Sequence, residues 1–333
     1  MVNRRKRVHV VVSVILSAVV VLFGPEARAD DAPHNAPGTL RVITYNVQFL
    51  PDPVSWKNER PNPEYRANRI AEVLRGFDLA GLQEVFHAKH REQIVDRTRN
   101  NWHGELHQFA SPHPKEFFTS GGCLILTRRP LLESSAVVFA NYSKPADYGY
   151  RADGHAAKGV LHGRIARSAM ESNNFIDVFV THLEARADEL RPLQYKEMTD
   201  FIRKKSDVNH PLLILGDLNT YGMAEYQKDP KSQYSQLMRE LNTVRPESGV
   251  VDLWPTLKGD AIGGTTEQES SEIGKRVDYV LLGNPTGGKV QLKPTRIAVE
   301  LFQDEIVGAL SDHNAVVADL EWPAGEKDGA ASR

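Results

Sequence analysis

Among its 333 residues the sequence has a single cysteine, Cys123. An intrachain disulfide is therefore excluded, and stability must come from an apolar core, which a chain of this length is able to bury. A basic excess is missing too: 41 Lys and Arg stand against 43 Asp and Glu, a net charge of −2. The footprint of a polyanion-binding protein is thus lacking, although a local basic patch stays open. No histidine pair stands at metal-ligand spacing and no second cysteine is available, which argues against a zinc site of the usual kind. Internal repeats are absent, as is any composition break that would mark a second domain.

A long apolar run occurs only at the start. "MVNRRKR" is a basic opening, "VHVVVSVILSAVVVLFG" an apolar stretch, and Ala27-x-Ala29 a small-residue cleavage site. Residues 1–29 read as a cleaved export signal rather than an anchor, since the apolar stretch is short for a membrane span. They carry five basic residues and one acid, so the charge of −2 becomes −6 without them. Residues 30–39 form a polar leader, 40–323 a single domain, and 324–333 a tail expected to be disordered.

The remaining pattern mixes strands and helices. "LRVITYNV" (40–47), "DLAGLQEV" (78–85), "LLILGD" (212–217), "RVDYVLL" (276–282) and "NAVVADLEW" (314–322) read as buried strands. Segments 121–130 and 133–140 read as one hairpin, and 158–166 with 175–183 as another. Helices are expected at 64–77, 187–205 and 233–242. A polar, Gly-rich loop runs from 259 to 274. Paired strands argue against a purely parallel doubly wound sheet and favour an α/β sandwich of two sheets with outer helices.

Polar residues then collect at the strand ends. Asn46 stands in "TYNV", Glu84 in "LQEV", His182 in "VTHL", Asp217 and Asn219 in "GDLN", Asp278 in "RVDYV", and Asp312 with His313 in "SDHN". Singly, each has a bland reading as a turn former, surface acid or satisfied core histidine. Jointly, nearly every apolar strand would have to end on a catalytic-type side chain by chance. Glu84, Asn46 and Asp312 offer the oxygen ligands that suit Mg²⁺, while the two histidines supply proton transfer and phosphate contact. Asp217 and Asn219 would orient water and a phosphoryl oxygen, with Gly216 keeping a side chain out of the cleft. Metal-assisted hydrolysis of a phosphoester is the chemistry this inventory serves.

In order and spacing, "TYNV…QEV…THL…GDLN…VDYV…SDHNAV" resembles the DNase I-like endonuclease/exonuclease/phosphatase superfamily across residues 41–320. That resemblance implies a four-layer α/β sandwich. Within the superfamily, "NVQFLP", "QEVF" and "THLEA" followed by "LRPLQYKEMTDFI" resemble bacterial neutral sphingomyelinases of the phospholipase C type, with Arg191, Gln194, Lys196, Glu197 and Asp200 in the last motif. The resemblance implies His313 as general base oriented by Asp278, and Glu84 as the Mg²⁺ ligand with Asn46 nearby; Mn²⁺ or Co²⁺ could replace Mg²⁺. Asp312 would complete the metal side. His182 would contact phosphate or leaving group, and Asp153 with Lys158 resembles an Asp–Lys pair of that family. Leu301 and Phe302 are the apolar pair in the stretch where those enzymes touch membrane. The implied partner is a phospholipid at a membrane surface, met by a monomer. The rival readings are a secreted nuclease, which would need rows of basic residues to meet successive phosphates, and an inositol-phosphate phosphatase. A non-catalytic binding protein of the same fold would have lost an acid or a histidine, and none is missing.

Overall fold

The computed structural model describes residues 38–324 apart from 53, 59, 103–104, 267–273 and 289. The export signal, most of the polar leader, the tail beyond 324 and part of the 259–274 loop lie outside the described residues. Two six-stranded sheets make up the frame. The first joins β1 (Thr39–Phe49), β2 (Leu79–Val85), β3 (His107–Ala110), β4 (Leu124–Thr127), β11 (Lys293–Glu300) and β14 (Ala315–Glu321). The second joins β5 (Leu131–Val138), β6 (Gly159–Ala166), β7 (Phe175–His182), β8 (Leu212–Asp217), β9 (Val251–Asp252) and β10 (Asp278–Gly283). A short hairpin of β12 (Gln303–Asp304) and β13 (Gly308–Ala309) precedes β14.

Alternation along the strands explains the layering. Val42, Leu79, Ile125, Val178, Val180, Leu213, Leu215, Val280 and Val316 face inward from both sheets and form one buried core. Gly81 lies where the sheets come closest; a Cβ there would sit 2.9 Å from a methyl of Val180. The opposite face of the first sheet packs on α1 (Pro63–Val73) and α2 (Ala88–Asn101) through Ile43, Tyr45, Ile70 and Ile94. The outer face of the second packs on α3 (Arg191–Lys205) and α4 (Gln233–Asn242) through Phe179, Tyr195, Ile202, Ile214 and Leu237. Both faces of each sheet are covered, so the strands read as continuous apolar runs. The result is the expected four-layer α/β sandwich.

Three local readings need correction. Segments 121–130 and 133–140 are not a hairpin: β4 pairs with β2 and β3, whereas β5 pairs with β6. The residues between them cross from one sheet to the other, and Pro130 lies in that crossing. The helix expected over 64–77 ends at Val73 and finishes in a 3₁₀ turn, Leu74–Gly76. The helix expected from 187 starts at Arg191, where Pro192 occupies the first turn, after a separate turn at Asp188–Leu190. Helix α2 went unread because His90, Ile94, Val95 and Thr98 are its only buried residues, too few for a clear apolar stripe.

Pairing direction gathers the strand ends. β1 and β2 run parallel, as do β7 and β8, while β14 and β10 run antiparallel to them. The ends of the parallel strands and the starts of β10 and β14 therefore open on one side of the sandwich. The polar residues singled out at strand ends, Asn46, Glu84, His182, Asp217, Asp278, Asp312 and His313, lie there.

Candidate active site

Asp217 is where these side chains converge. It ends β8, is almost wholly buried, and its Oδ2 accepts a hydrogen bond from Asn46 Nδ2 at 3.2 Å. The same oxygen lies 3.5 Å from His182 Nε2 and 3.8 Å from His313 Nε2. Its Oδ1 accepts the backbone N–H of Asn219 at 3.0 Å, and Asn219 Nδ2 donates to Leu183 O. One carboxylate thus joins the ends of β1, β7 and β8 to the segment leading into β14.

Gly216 has a different reason from the one its neighbours suggest. A Cβ at 216 would lie 2.1 Å from the carbonyl oxygen of Thr181, its register partner on β7. The glycine permits the close approach of two strands and clears no space in the cleft.

His313 precedes β14. Its Nδ1 and Asp278 Oδ2 are 2.8 Å apart, so Nδ1 carries the proton and Nε2 faces Asp217. Burial disfavours its imidazolium, but Asp278, Asp217 and Asp312 together outweigh that and hold it well above the usual histidine range. His182 goes the other way: burial, reinforced by the Lys158 ammonium, pushes it down to about 4. Lys158 Nζ lies 3.1 Å from His182 Nε2, donates to Leu183 O, and pairs with Asp153. Two imidazoles of opposite protonation therefore flank one carboxylate.

On the other flank, Asn46 Nδ2 also donates to Glu84 Oε1 at 3.0 Å. Burial, aided by the negative charge of Asp312, raises the Glu84 carboxyl to about 7. Two acids that oppose each other's ionisation are donors a hard cation would neutralise, and Asn46, which turns its Nδ2 to Glu84 and its Oδ1 to the Gln48 N–H, would offer that oxygen by reorienting its amide. Glu84, Asn46 and Asp312 thus fit a divalent ion such as Mg²⁺. Asp217, Asp278 and His313 also bring donor atoms within 4.8 Å of one another. In that trio an Asp278 oxygen and His313 Nδ1 are spent on each other, which makes it the poorer cation cage.

Backbone strain marks the same place. Gln48, Glu84 and Asn219 are three of the four described non-glycine residues with left-handed φ, the other being Asn62. Such conformations cost about 1–3 kcal/mol each and persist where surroundings impose them. The β1–β2 register shifts between Asn46 and Phe49, and Gln48 sits within that irregularity. Gln48 Nε2 donates to Asp312 Oδ2 at 2.8 Å, and its backbone N–H donates to Asn46 Oδ1.

Gln48 was not singled out in the sequence, and neither was Arg66. The fully buried Arg66 guanidinium donates to the carbonyls of Val47, Gln48 and Leu310 and stacks over Phe49. It binds the end of β1 to the segment carrying Asp312. An arginine on an otherwise apolar helix face was the available signal. Ser311 adds a second tie, donating to Asn46 O at 2.7 Å.

The expected membrane pair divides. Leu301 is 53% exposed, but Phe302 packs edge-on against Tyr45 with ring centroids 5.8 Å apart and belongs to the helix-side core. Phe302 is half-buried, because an aromatic ring beside a buried tyrosine gains by packing inward. The exposed apolar residue between β12 and β13 is Ile306. Among the described residues no helix is long and apolar enough to cross a membrane.

A model of the Endonuclease/Exonuclease/phosphatase family matches residues 43–313, from β1 to His313. The chain belongs to that family. Two sphingomyelinase C sequences of Bacillus cereus are similar to it. One is 24% identical over 253 residues, 68% of this chain and 70% of the relative. The other is 27% identical over 252 residues, 67% and 69%. Beta toxin from Staphylococcus aureus, solved with bound magnesium ions, superposes with a TM-score of 0.63 at 17% identity, over 84% of this chain and 98% of that one. D. rerio TDP2 with a single-strand DNA product superposes with a TM-score of 0.60 at 17% identity, over 85% and 99%. At such identities the two structures speak for the fold. Family membership and the sphingomyelinase C relatives support a phosphoric diester hydrolase.

Proposed function

We propose that this family member is an exported, Mg²⁺-dependent phosphodiesterase that hydrolyses sphingomyelin or a related choline phospholipid to phosphocholine and lipid. The observation that carries the reading is Asp217 Oδ2, with an Asp-oriented imidazole on one side and the Asn46–Glu84–Asp312 donors on the other. Mg²⁺, or Mn²⁺ or Co²⁺ in its place, would be held by Glu84, Asn46 and Asp312 and would polarise a phosphoryl oxygen.

The chain's own residues do the rest. Asp278 orients His313 with Nε2 toward Asp217. A cation held by Glu84, Asn46 and Asp312 would offset the acids that keep the ring charged, so that neutral Nε2 takes the proton of a water attacking phosphorus. Asp217 and Asn219 orient that water and a phosphoryl oxygen. His182 and Lys158 lie where the substrate's negative charge or the leaving oxygen would be met. Export and action at a lipid surface by a monomer belong to the same proposal, with Leu301 exposed at the site end of the sandwich.

The test is release of phosphocholine from sphingomyelin vesicles by the purified protein, with Mg²⁺ and then with EDTA, alongside plasmid DNA. Metal-dependent release with intact plasmid is the expected result. Nicked plasmid with untouched vesicles would overturn the lipid reading in favour of a nuclease.

A further inference from the structure

Beside the His182 end of the site, two loops border a solvent-open recess of about 250 Å³ lined by Ser143, Ala152, Ala187 and the exposed Tyr148, Arg186 and Glu189. The loop after β7 supplies Arg186, Ala187 and Glu189, and the loop before β6 supplies the rest. The loops are locked together. Ser143 donates its hydroxyl to the buried Glu184 carboxylate, which also accepts the backbone N–H groups of Ser143 and Ala187. Asp153 accepts the N–H of Ala185, and Gln194 bridges Glu184 N to Asn141 O. Glu197 accepts the N–H groups of Ala140 and Asn141, and Arg191 donates to Glu184 O. The helix motif noted in the sequence thus divides: Arg191, Gln194 and Glu197 build this frame, while Lys196 and Asp200 pair with each other on the surface.

What lines the recess has a chemical character of its own. The Tyr148 hydroxyl donates to Glu189 Oε1 at 2.7 Å, which holds that carboxyl below its usual range and keeps it charged. An electron-rich ring beside a fixed carboxylate attracts a large, weakly hydrated cation. Ala152 and Ala187 leave room for methyl groups, and Arg186 gives the same rim the opposite sign, which suits a zwitterion. The volume lies just below the range of drug-sized pockets and fits a headgroup. Connection to the reaction runs through neighbours: Asp153 follows Ala152, pairs with Lys158, and Lys158 touches His182.

We propose that this recess is the subsite for the quaternary ammonium of a zwitterionic phosphodiester headgroup, held between the Tyr148 ring and Glu189. The inference rests on the phosphodiesterase reading above and adds what selects the headgroup.

Sphingomyelin and its ethanolamine counterpart, ceramide phosphoethanolamine, are compared in detergent micelles. Tyr148→Ala and Glu189→Lys should each lower the choline-over-ethanolamine preference in kcat/KM by about five- to tenfold, mostly through KM. Tyr148→Phe, which keeps the ring, should restore most of it. A preference unchanged in both variants would overturn the subsite while leaving the hydrolase intact. Wild-type protein inactive on either lipid would instead overturn the phosphodiesterase reading. Calorimetric titration with tetramethylammonium and with free phosphocholine tests the recess independently of turnover. Binding to wild type that Glu189→Lys weakens about tenfold supports the subsite, and absence of binding to wild type overturns it. Phosphocholine binding without tetramethylammonium binding would place recognition on the phosphate and also refute the proposal.

Discussion

Among the described residues, two histidine–aspartate pairs share a 2.8 Å spacing and meet opposite fates: the fully buried His162 with Asp177, and the part-buried His313 with buried Asp278. At the first, every demand is met. Asp177 also accepts two bonds from Arg164 and the N–H of Asp207, while the other nitrogen of His162 faces Ser135. At the second, Asp278 Oδ1 has no hydrogen-bond partner, and the free nitrogen of His313 faces another carboxylate at 3.8 Å. A guanidinium neutralises Asp177. Around His313 the neighbours are acids. Burying a charge pair is tolerable when its hydrogen bonds close, so the His162 network contributes to stability. The His313 cluster keeps unsatisfied atoms and unbalanced charge, the condition in which a site is ready for substrate, water or cation.

Exchanging the two histidines for alanine breaks the comparison most directly. His313→Ala should lower kcat on sphingomyelin by about 10⁴-fold, the upper end for a lost general base, with little change in unfolding temperature. His162→Ala should lower the unfolding temperature and spare the kcat of the folded fraction. Equal kinetic losses in the two variants would contradict the assignment. Asp278→Asn should cost about 10²- to 10³-fold in kcat, because an amide no longer enforces the Nδ1–H tautomer. Because Asp278 also raises the His313 pKa, the rising limb of the kcat–pH profile should shift to lower pH in Asp278→Asn, and an unshifted limb would remove charge as a cause.

Asp177→Asn should cost about 3 kcal/mol of stability near neutral pH, as it strands Arg164 and His162. Burial works against the charged form there, but His162 and Arg164 outweigh it and hold the carboxyl below its ordinary 3.8. A carboxyl depressed on folding contributes stability that is complete above its unfolded value and is lost as pH falls through the folded one. The gap between wild type and Asp177→Asn should therefore narrow as the pH falls below about 4. Urea unfolding across that range tests it, and a constant gap would mean that the charge network contributes nothing. The smallest effect separates Leu301 from Phe302. Phe302→Ala should cost about 1–2 kcal/mol of stability through lost packing on Tyr45, whereas Leu301→Ser should stay within about 0.5 kcal/mol and weaken only binding to vesicles.

Much of this was legible because local rules and the global fold agree. Apolar runs leading to Asn46, Glu84, His182 and Asp217 became strands; His182 and Asp217 end theirs, while β1 runs on to Phe49 and β2 to Val85. Helix 233–242 is bounded in the structure as its apolar spacing indicates, and Ser232 caps it by accepting the N–H of Ser235. The failures came where neighbours in sequence are not neighbours in space. β4 and β5 look like a hairpin since only a few residues separate them, and nothing local says that Pro130 stands between two sheets. Gln48 and Arg66 were missed for a related reason: each ties the end of β1 to a segment more than 200 residues away, at Asp312 and Leu310.

By itself the sequence determined the elements, their apolar faces and the kinds of side chain at their ends, because propensity and periodicity act over a few bonds. Tertiary structure alone decided which of those side chains share an oxygen of Asp217, which imidazole is charged and which neutral, and which glycine serves packing. Those outcomes depend on burial and on charges that lie far apart along the chain, and only the closed sandwich brings them within a few ångströms of one another.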